Sequence, residues 1–280
     1  MTYQTVLVNL SNEETAATVM NVADHLAERH TAHLLGMHVK PSMAMPVSAE
    51  IPVSLELARQ FMDQQRRVEN QVKAVFEQIV GKSNYVSEWR SVDAGMQTVA
   101  DKLVELGNTA DLIVLGQIGS KAAIGQFRHF AEHVLLACGR PVLVVPWQYE
   151  SNNYAERILL AWDGLRESTR AVFAALPMLR NASEVRLHRI NLPHQDRHHI
   201  VGVTEELANT LSRHGVGLEV HHSDARSGEI AEELLGFARD MDADTMVMGC
   251  YGHSRIRELL LGGTTRQVFE NATIPILMAN

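Results

Sequence analysis

The chain has 280 residues, of which 46% are hydrophobic and 21% are charged, and a net charge of −8 at neutral pH. This acidic balance argues against general nucleic-acid binding, which needs a basic face. No apolar run approaches the roughly 20 residues of a membrane helix, and the N-terminal segment lacks the pattern of a signal peptide. A cytoplasmic protein with no membrane partner is therefore expected. Two cysteines, Cys138 and Cys250, do not indicate a disulfide framework.

Short apolar strands alternate with helical patterns along the first half of the chain. The strands are predicted at Thr5–Leu10, Ala32–Val39, Tyr85–Arg90, Asp111–Leu115 and Val142–Val145. The helices are predicted at Glu13–Arg29, Ser54–Val80, Met96–Leu106 and Ala131–Cys138. An apolar, proline-containing stretch, Met43–Pro52, precedes the long helix, and it is interpreted either as a linker or as a mobile flap or partner surface.

The second half repeats the first. Gln4–Thr15 corresponds to Glu156–Thr169, Ala110–Gly119 to Ala243–Gly252, and Arg140–Trp147 to Ile274–Asn280. Strands are accordingly predicted near Ile158–Trp162, Glu184–Ile190, Leu218–His222, Thr245–Met248 and Ile274–Met278. A period of half the chain is too long for a solenoid repeat, so each copy is a whole domain, 1–148 and 155–280.

Apolar strands that alternate with helices indicate an α/β protein with parallel sheets covered on both faces. Each half is predicted to form a five-stranded, doubly wound sheet, so that the fold is two such domains in tandem. Ligands of these sheets bind at the carboxyl ends of the strands.

A glycine-rich stretch, Gly249–Thr265, follows a predicted strand and reads G-x2-G-x9-G-G-T-T. Glycine lets the backbone approach a ligand closely, and the free N–H groups of a helix N-terminus attract phosphate. The pattern is neither a Walker A loop nor a dinucleotide fingerprint, because the lysine and the close glycine spacing are missing. It predicts a phosphate cradle made of backbone, and the alternative is a loop that needs glycines only for turning.

These features resemble the universal stress protein family, and two copies in one chain resemble its tandem members. The ILLAWDG start, the glycine motif and the closing P-I-L strand carry the resemblance, which covers essentially the whole chain. It implies an adenine nucleotide alpha hydrolase-like fold. The last strands, Val142–Val145 and Ile276–Met278, would pair, so that the halves form a pseudo-dimer; a further homodimer is left open. Some members of the family bind ATP, others do not, and no dedicated reaction marks the family.

The resemblance also implies a nucleotide site in the second half. Asp163 would face the ribose, the backbone of Ile190 would bind adenine, and Ala161 would flank the base. Gly263 stands where the family usually has Ser or Thr, with two threonines behind it. The expected ligand is ATP or a related adenine nucleotide, with Mg²⁺ as an optional bridging ion. The expected binding residues are Ala161, Asp163, Ile190, Met248, Gly249, Gly252, Gly262, Gly263, Thr264 and Thr265.

The first half keeps Gly116 and Gly119 but loses the rest of the motif. Arg128, His129 and Phe130 stand at the positions of Gly262, Gly263 and Thr264, and Ser11 replaces the acid. Bulky side chains would fill the phosphate pocket, so this copy is interpreted as a degenerate site.

The leading hypothesis is a stress-response protein that binds ATP in its C-terminal domain and acts as a nucleotide-dependent regulator. No residue is assigned a catalytic role, slow ATP hydrolysis is the most activity expected, and histidine spacing does not support a metal site. The alternative is a scaffold for unknown protein partners that works without nucleotide. An enzyme acting on adenylates is disfavoured because nucleotidyl-transfer signatures are missing. Arg266 is a candidate phosphate ligand or, alternatively, part of a salt bridge.

Overall fold

The computed structural model describes residues 2–42, 55–117, 121–150, 154–191, 197–226, 228–250 and 263–280. Tyr3–Cys138 forms one compact unit, and Gly139–Asn280 forms most of the other. Both units are layered α/β structures with mostly parallel sheets, which confirms the predicted fold class.

The first unit contains four parallel strands in the order β3-β2-β1-β4. Helix α4 begins ten residues before the predicted Ala131, because the stretch expected to match the glycine loop of the second half is largely helical instead. The strands are β1 Thr5–Asn9, β2 His33–Lys40, β3 Ser87–Asp93 and β4 Leu112–Gly116, and the helices are α1 Glu13–His30, α2 Leu55–Val80, α3 Val99–Gly107 and α4 Lys121–Cys138.

The second unit contains five parallel strands in the order β10-β9-β6-β7-β8. A sixth strand, β5, pairs antiparallel with β10, which confirms that the last strands of the two repeats pair. The strands are β5 Val142–Val145, β6 Arg157–Ala161, β7 Glu184–Ile190, β8 Glu219–Ser223, β9 Thr245–Gly249 and β10 Ile276–Ala279. The helices are α5 Arg166–Ala174, α6 Leu176–Leu179, α7 Arg197–Arg213, α8 Ile230–Asp240 and α9 Thr264–Asn271.

The central strands form the cores of both units. Strands β4, β5 and β10 are buried along their whole length, and β1 and β9 along all but one residue. Side chains on both faces of these strands are therefore covered, which explains why the strands are continuous apolar runs. None of the helices in the described ranges has the length and apolarity needed to cross a membrane.

One aspartate in each half fastens two neighbouring strands at their amino ends. Asp111 Oδ2 accepts hydrogen bonds from the backbone N–H groups of Gln4 and Thr5, at 2.7 and 3.0 Å. Asp244 Oδ2 accepts from those of Glu156 and Arg157, at 3.0 and 3.1 Å. These charge-assisted bonds satisfy N–H groups that precede the ladder and fix the register of the two strands.

His30, the last residue of α1, is buried in the first unit. Its ring meets the Tyr3 ring edge-on at a centroid distance of 5.0 Å, and neither ring nitrogen has a partner among the described residues. Burial, helped by Arg29 and His25, lowers the pKa of His30 to about 4. The folded state therefore favours the neutral ring.

We expect acid to destabilise this unit through His30. The contribution of the neutral His30 ring to the free energy of unfolding is complete above the unfolded pKa of roughly 6.5. It falls by about 3 kcal/mol as the pH falls towards 4. His30→Phe should flatten the pH dependence of the free energy of unfolding over this window, as measured by urea denaturation. His129→Phe, at an exposed position of the same unit, is the control and should leave the slope unchanged. Equal slopes for wild type and His30→Phe would contradict the assignment.

Candidate functional site

A cavity of about 450 Å³ opens at the carboxyl ends of the second unit's strands. Its floor is a row of register partners on three adjacent strands: Met248 on β9, Ala161 on β6 and His188 on β7. Partners in a parallel register point to the same face, and side chains two residues further on point there too. Asp163 and Ile190 therefore extend the same face, and Ile230 and Leu234 of α8 line the cavity as well.

Seven of the ten predicted binding residues line this cavity. Only their positions in the repeat indicated that they lie together, because their local sequences do not. Gly263 immediately precedes two of them as the N-cap of α9. Gly252 and Gly262 lie outside the described residues. The seven are Ala161, Asp163, Ile190, Met248, Gly249, Thr264 and Thr265.

Asp163 shapes the turn between β6 and α5. Its Oδ1 accepts a hydrogen bond from the Leu165 N–H at 2.9 Å and one from the Ser168 hydroxyl at 2.6 Å. Gly164 follows with φ +86°, a conformation that favours glycine. Asp163 therefore has a structural role in this turn. Within the described ranges no partner occupies Oδ2, which leaves one carboxylate oxygen of this exposed residue for a ligand.

Arg189, which also lines the cavity, supports this turn, a role that the sequence analysis missed. Its Nη2 donates to the Asp163 carbonyl at 3.0 Å and its Nη1 to the Thr204 hydroxyl at 3.1 Å. The guanidinium lies over the Trp162 ring, 4.9 Å from the ring centroid, and the residue is only 8% exposed. Burial lowers the pKa of Arg189, against the opposing effect of the Asp163 charge. The sequence did offer one signal for this role, because an arginine stands at the end of an otherwise buried strand.

The N-terminus of α9 faces the cavity without a side-chain cap. Gly263 is the N-cap residue, with φ −54° and ψ 158°, and no side chain among the described residues caps the helix. Thr264 and Thr265 begin the helix and line the cavity. Free N–H groups and the positive end of the helix dipole favour an anion here. Arg266 Nε is instead 3.0 Å from Glu270 Oε1, so the salt-bridge interpretation is confirmed.

Gly249 ends β9 where the first turn of α5 lies against it. A Cβ at this position would overlap the Ser168 backbone nitrogen and come within 2.6 Å of the Glu167 carbonyl carbon. Because these atoms belong to backbone, they cannot move aside cheaply. Gly249 therefore allows α5 to approach the edge of the sheet, apart from any contact with a ligand.

At the corresponding end of β4 in the first unit, α1 approaches the strand as closely as α5 approaches β9. A Cβ on Gly116 would overlap the Val19 side chain of α1. Arg128 Nε and His129 Nδ1 both lie 3.4 Å from carboxylate oxygens of Glu132, on their own helix. Gly119 lies outside the described residues.

The remaining reactive side chains give no sign of a further site. Cys250 is buried, with its Sγ 3.3 Å from the Ala279 carbonyl oxygen, and Cys138 is buried as well. Within the part of the chain that the structure describes, no group of three or more His, Cys, Asp or Glu side chains could hold a metal ion.

The fold and the repeat define a tandem α/β protein with its ligand-sized cavity at a sheet edge. A sequence model of the Universal stress protein family matches residues 2–146 and 155–280. The chain therefore belongs to the universal stress protein family and contains two family domains in tandem.

Two kinds of relatives support this assignment. A universal stress protein of Synechocystis is 31% identical over 183 residues, which are 63% of this chain and 60% of that protein's length. A universal stress protein structure from Archaeoglobus fulgidus aligns with 99% of this chain and 98% of its own, with a TM-score of 0.70 at 15% identity. A protein of unknown function from Pseudomonas aeruginosa covers 99% and 92%, with a TM-score of 0.60 at 13% identity. At these identities the structures show the shared fold.

We expect Gly249→Ala to destabilise the second unit by about 2–4 kcal/mol, because the added methyl group would push against backbone. Gly202→Ala is the matched control: it lies in α7 with nothing within 4 Å of an added Cβ, and it should stabilise the protein by roughly 0.5–1 kcal/mol. Thermal unfolding followed by circular dichroism measures both. A Gly249→Ala protein as stable as wild type would show that α5 does not hold its place against β9.

Proposed function

We propose that the chain binds ATP or a related adenine nucleotide in the cavity of its second unit and acts as a nucleotide-dependent regulator in the stress response of the cytoplasm. The observation that carries the proposal is the α9 N-terminus, which lines the same cavity as Asp163 and has no side-chain cap within the described part of the chain. The N–H groups of Thr264 and Thr265 would bind phosphate oxygens there. Gly252 and Gly262 would complete the cradle, as the motif implies.

The other end of the cavity suits a nucleoside. Ile190, Ile230, Leu234 and Met248 offer apolar surface to a flat base. The unoccupied Oδ2 of Asp163 can accept hydrogen bonds from ribose hydroxyls. Apolar walls with a few polar groups at fixed points are typical of small-molecule sites.

Mg²⁺ would enter with the nucleotide. Because the described residues offer no group of three metal ligands, that part of the chain would contribute fewer than three, and the phosphates would supply further oxygens. Binding rather than turnover is the proposed activity, because the glycine motif implies a phosphate cradle and assigns no catalytic side chain.

The second candidate is a scaffold for protein partners that works without nucleotide. It is favoured by one observation, the exposed apolar side chains at the start of α2: Leu55, Leu57 and Met62 are each more than half exposed. Single exposed apolar residues are common on protein surfaces, so this observation is weaker than the cavity.

The first experiment is to measure the nucleotide content of the purified protein and to titrate the stripped protein with ATP and Mg²⁺ by calorimetry. We expect one adenine nucleotide per chain, bound by the second unit. Two per chain would contradict a degenerate first half. No nucleotide and no heat of binding would favour the scaffold.

Gly263→Asp tests the phosphate cradle. Aspartate is a favoured N-cap residue, and the backbone angles of Gly263 suit it, so α9 should form normally. Its carboxylate would occupy the first-turn N–H groups and repel phosphate. We expect ATP to bind at least about tenfold more weakly to it than to Gly263→Asn, which has the same size and no charge. Calorimetry measures both, with thermal unfolding as the check on folding.

Equal affinities of the Asp and Asn variants would place the phosphates elsewhere. Arg128→Ala in the first unit is a further control, and it should leave the affinity for ATP unchanged.

A further inference from the structure

Asn191 immediately follows β7 and has a backbone conformation that ends the strand. Its φ is +59°, in the left-handed region, which asparagine adopts more readily than most other residues. Its backbone N–H still donates to the Ser223 carbonyl at 3.0 Å, so the chain stays paired with β8 up to this residue. Asn191 is exposed and lines the cavity, so a ligand can reach its side chain.

The side-chain amide of Asn191 has a fixed orientation. Its Oδ1 accepts a hydrogen bond from the backbone N–H of Ala225 at 2.8 Å. Because a backbone N–H can only donate, the amide atom that faces Ala225 is the oxygen. This bond accounts for a short carbonyl-bearing side chain at this position, but it does not use Nδ2. Nδ2 carries two N–H donors and has no partner within the described part of the chain.

The backbone of Ile190 precedes this amide and has no strand partner on one side. The described pairing of β6 with β7 ends at Ala161 and His188, and the Trp162 N–H donates to the His188 carbonyl at 3.2 Å. Alternate residues of a strand point their backbone groups to the same side, so the N–H and C=O of Ile190 point towards the end of β6. The polar groups along the chain are therefore the Ile190 N–H, the Ile190 C=O and then the Asn191 amide.

An adenine ring carries polar groups in a matching order along its edge. N1 is an acceptor, the 6-amino group is a donor and N7 is an acceptor. The family resemblance assigns adenine to the backbone of Ile190, whose N–H suits N1 and whose C=O suits the amino group. The next group along the chain is the amide of Asn191, and the next on the ring is N7. Asparagine amides are common partners of this edge of adenine in nucleic-acid recognition.

We propose that Asn191 recognises the base of the bound nucleotide: its Nδ2 donates a hydrogen bond to N7 of adenine. The left-handed turn leaves Asn191 at the cavity, and the bond to Ala225 leaves Nδ2 as the amide atom available to a ligand. The inference rests on the proposed function and adds to it, because it assigns part of the recognition of the base to a side chain.

The test compares ATP with 7-deaza-ATP, in which a C–H group replaces N7, by calorimetry on the wild-type protein. We expect ATP to bind about five- to tenfold more tightly, which is the effect of one hydrogen bond. Both ligands carry the same phosphates, so the ratio of their affinities reports contacts to the base alone.

Asn191→Asp isolates the donor. Aspartate keeps an acceptor for the Ala225 N–H and tolerates a left-handed φ, but it places an oxygen where Nδ2 stands. The preference for ATP should disappear or invert, because a carboxylate oxygen repels the N7 lone pair and does not repel a C–H group. Asn191→Gly tolerates the same backbone angle without an amide, and it should bind both nucleotides equally.

Asn209→Asp is the matched control. Asn209 lies on α7, is exposed and does not line the cavity, and its substitution changes the net charge by the same amount. It should keep the wild-type ratio of affinities.

Each outcome separates the two proposals. Equal binding of ATP and 7-deaza-ATP by the wild-type protein would overturn the role of Asn191 while leaving nucleotide binding intact. A preference for ATP that survives in a folded Asn191→Asp or Asn191→Gly protein would overturn it as well. No binding of either nucleotide would overturn the proposed function, and with it this inference.

Discussion

The cavity depends on a register that Asp244 fixes at the opposite end of the sheet. Its carboxylate holds the first N–H groups of β6 against β9, and from there the pairing runs through Ile158 and Thr245 to Ala161 and Met248. A slip of one residue would turn every side chain of β6 to the other face. The cavity floor would then lose Ala161 from the row that it forms with Met248 and His188.

The fold could be predicted because each central strand is an apolar run that only a covered parallel sheet accommodates. Strand β3 shows where this signal fails. It was predicted at Tyr85–Arg90 and lies at Ser87–Asp93, in the polar sequence SEWRSVD. Its residues are only half-buried, and its position is set by pairing with β2, an interaction between distant parts of the chain that local periodicity does not reveal.

The site was predicted as far as its residues follow from the repeat. Ala161 and Asp163 end one strand and Met248 another, and topology alone brings such ends together. His188 and Arg189 were missed for a physical reason. His188 contacts Ser223 and Phe237, and Arg189 contacts Thr204. Each of these partners lies at least 15 residues away in the sequence. The role of a buried polar residue depends on its tertiary partners, and sequence spacing does not reveal them.

The two halves use one scaffold to opposite effect. In the first, Val19 packs against Gly116 as α5 packs against Gly249, but the arginine at the motif position pairs with Glu132. In the second, α9 begins with a glycine that cannot cap it, no other described side chain does so, and the first two helical residues line a cavity. A ligand that binds only the folded state stabilises it by RT ln(1 + [L]/Kd), about 2.7 kcal/mol at one hundred times Kd. At the proposed site, nucleotide therefore changes the stability of the second unit alone. The few residues that differ between the two halves would thus give the second unit a response to nucleotide that the first unit lacks.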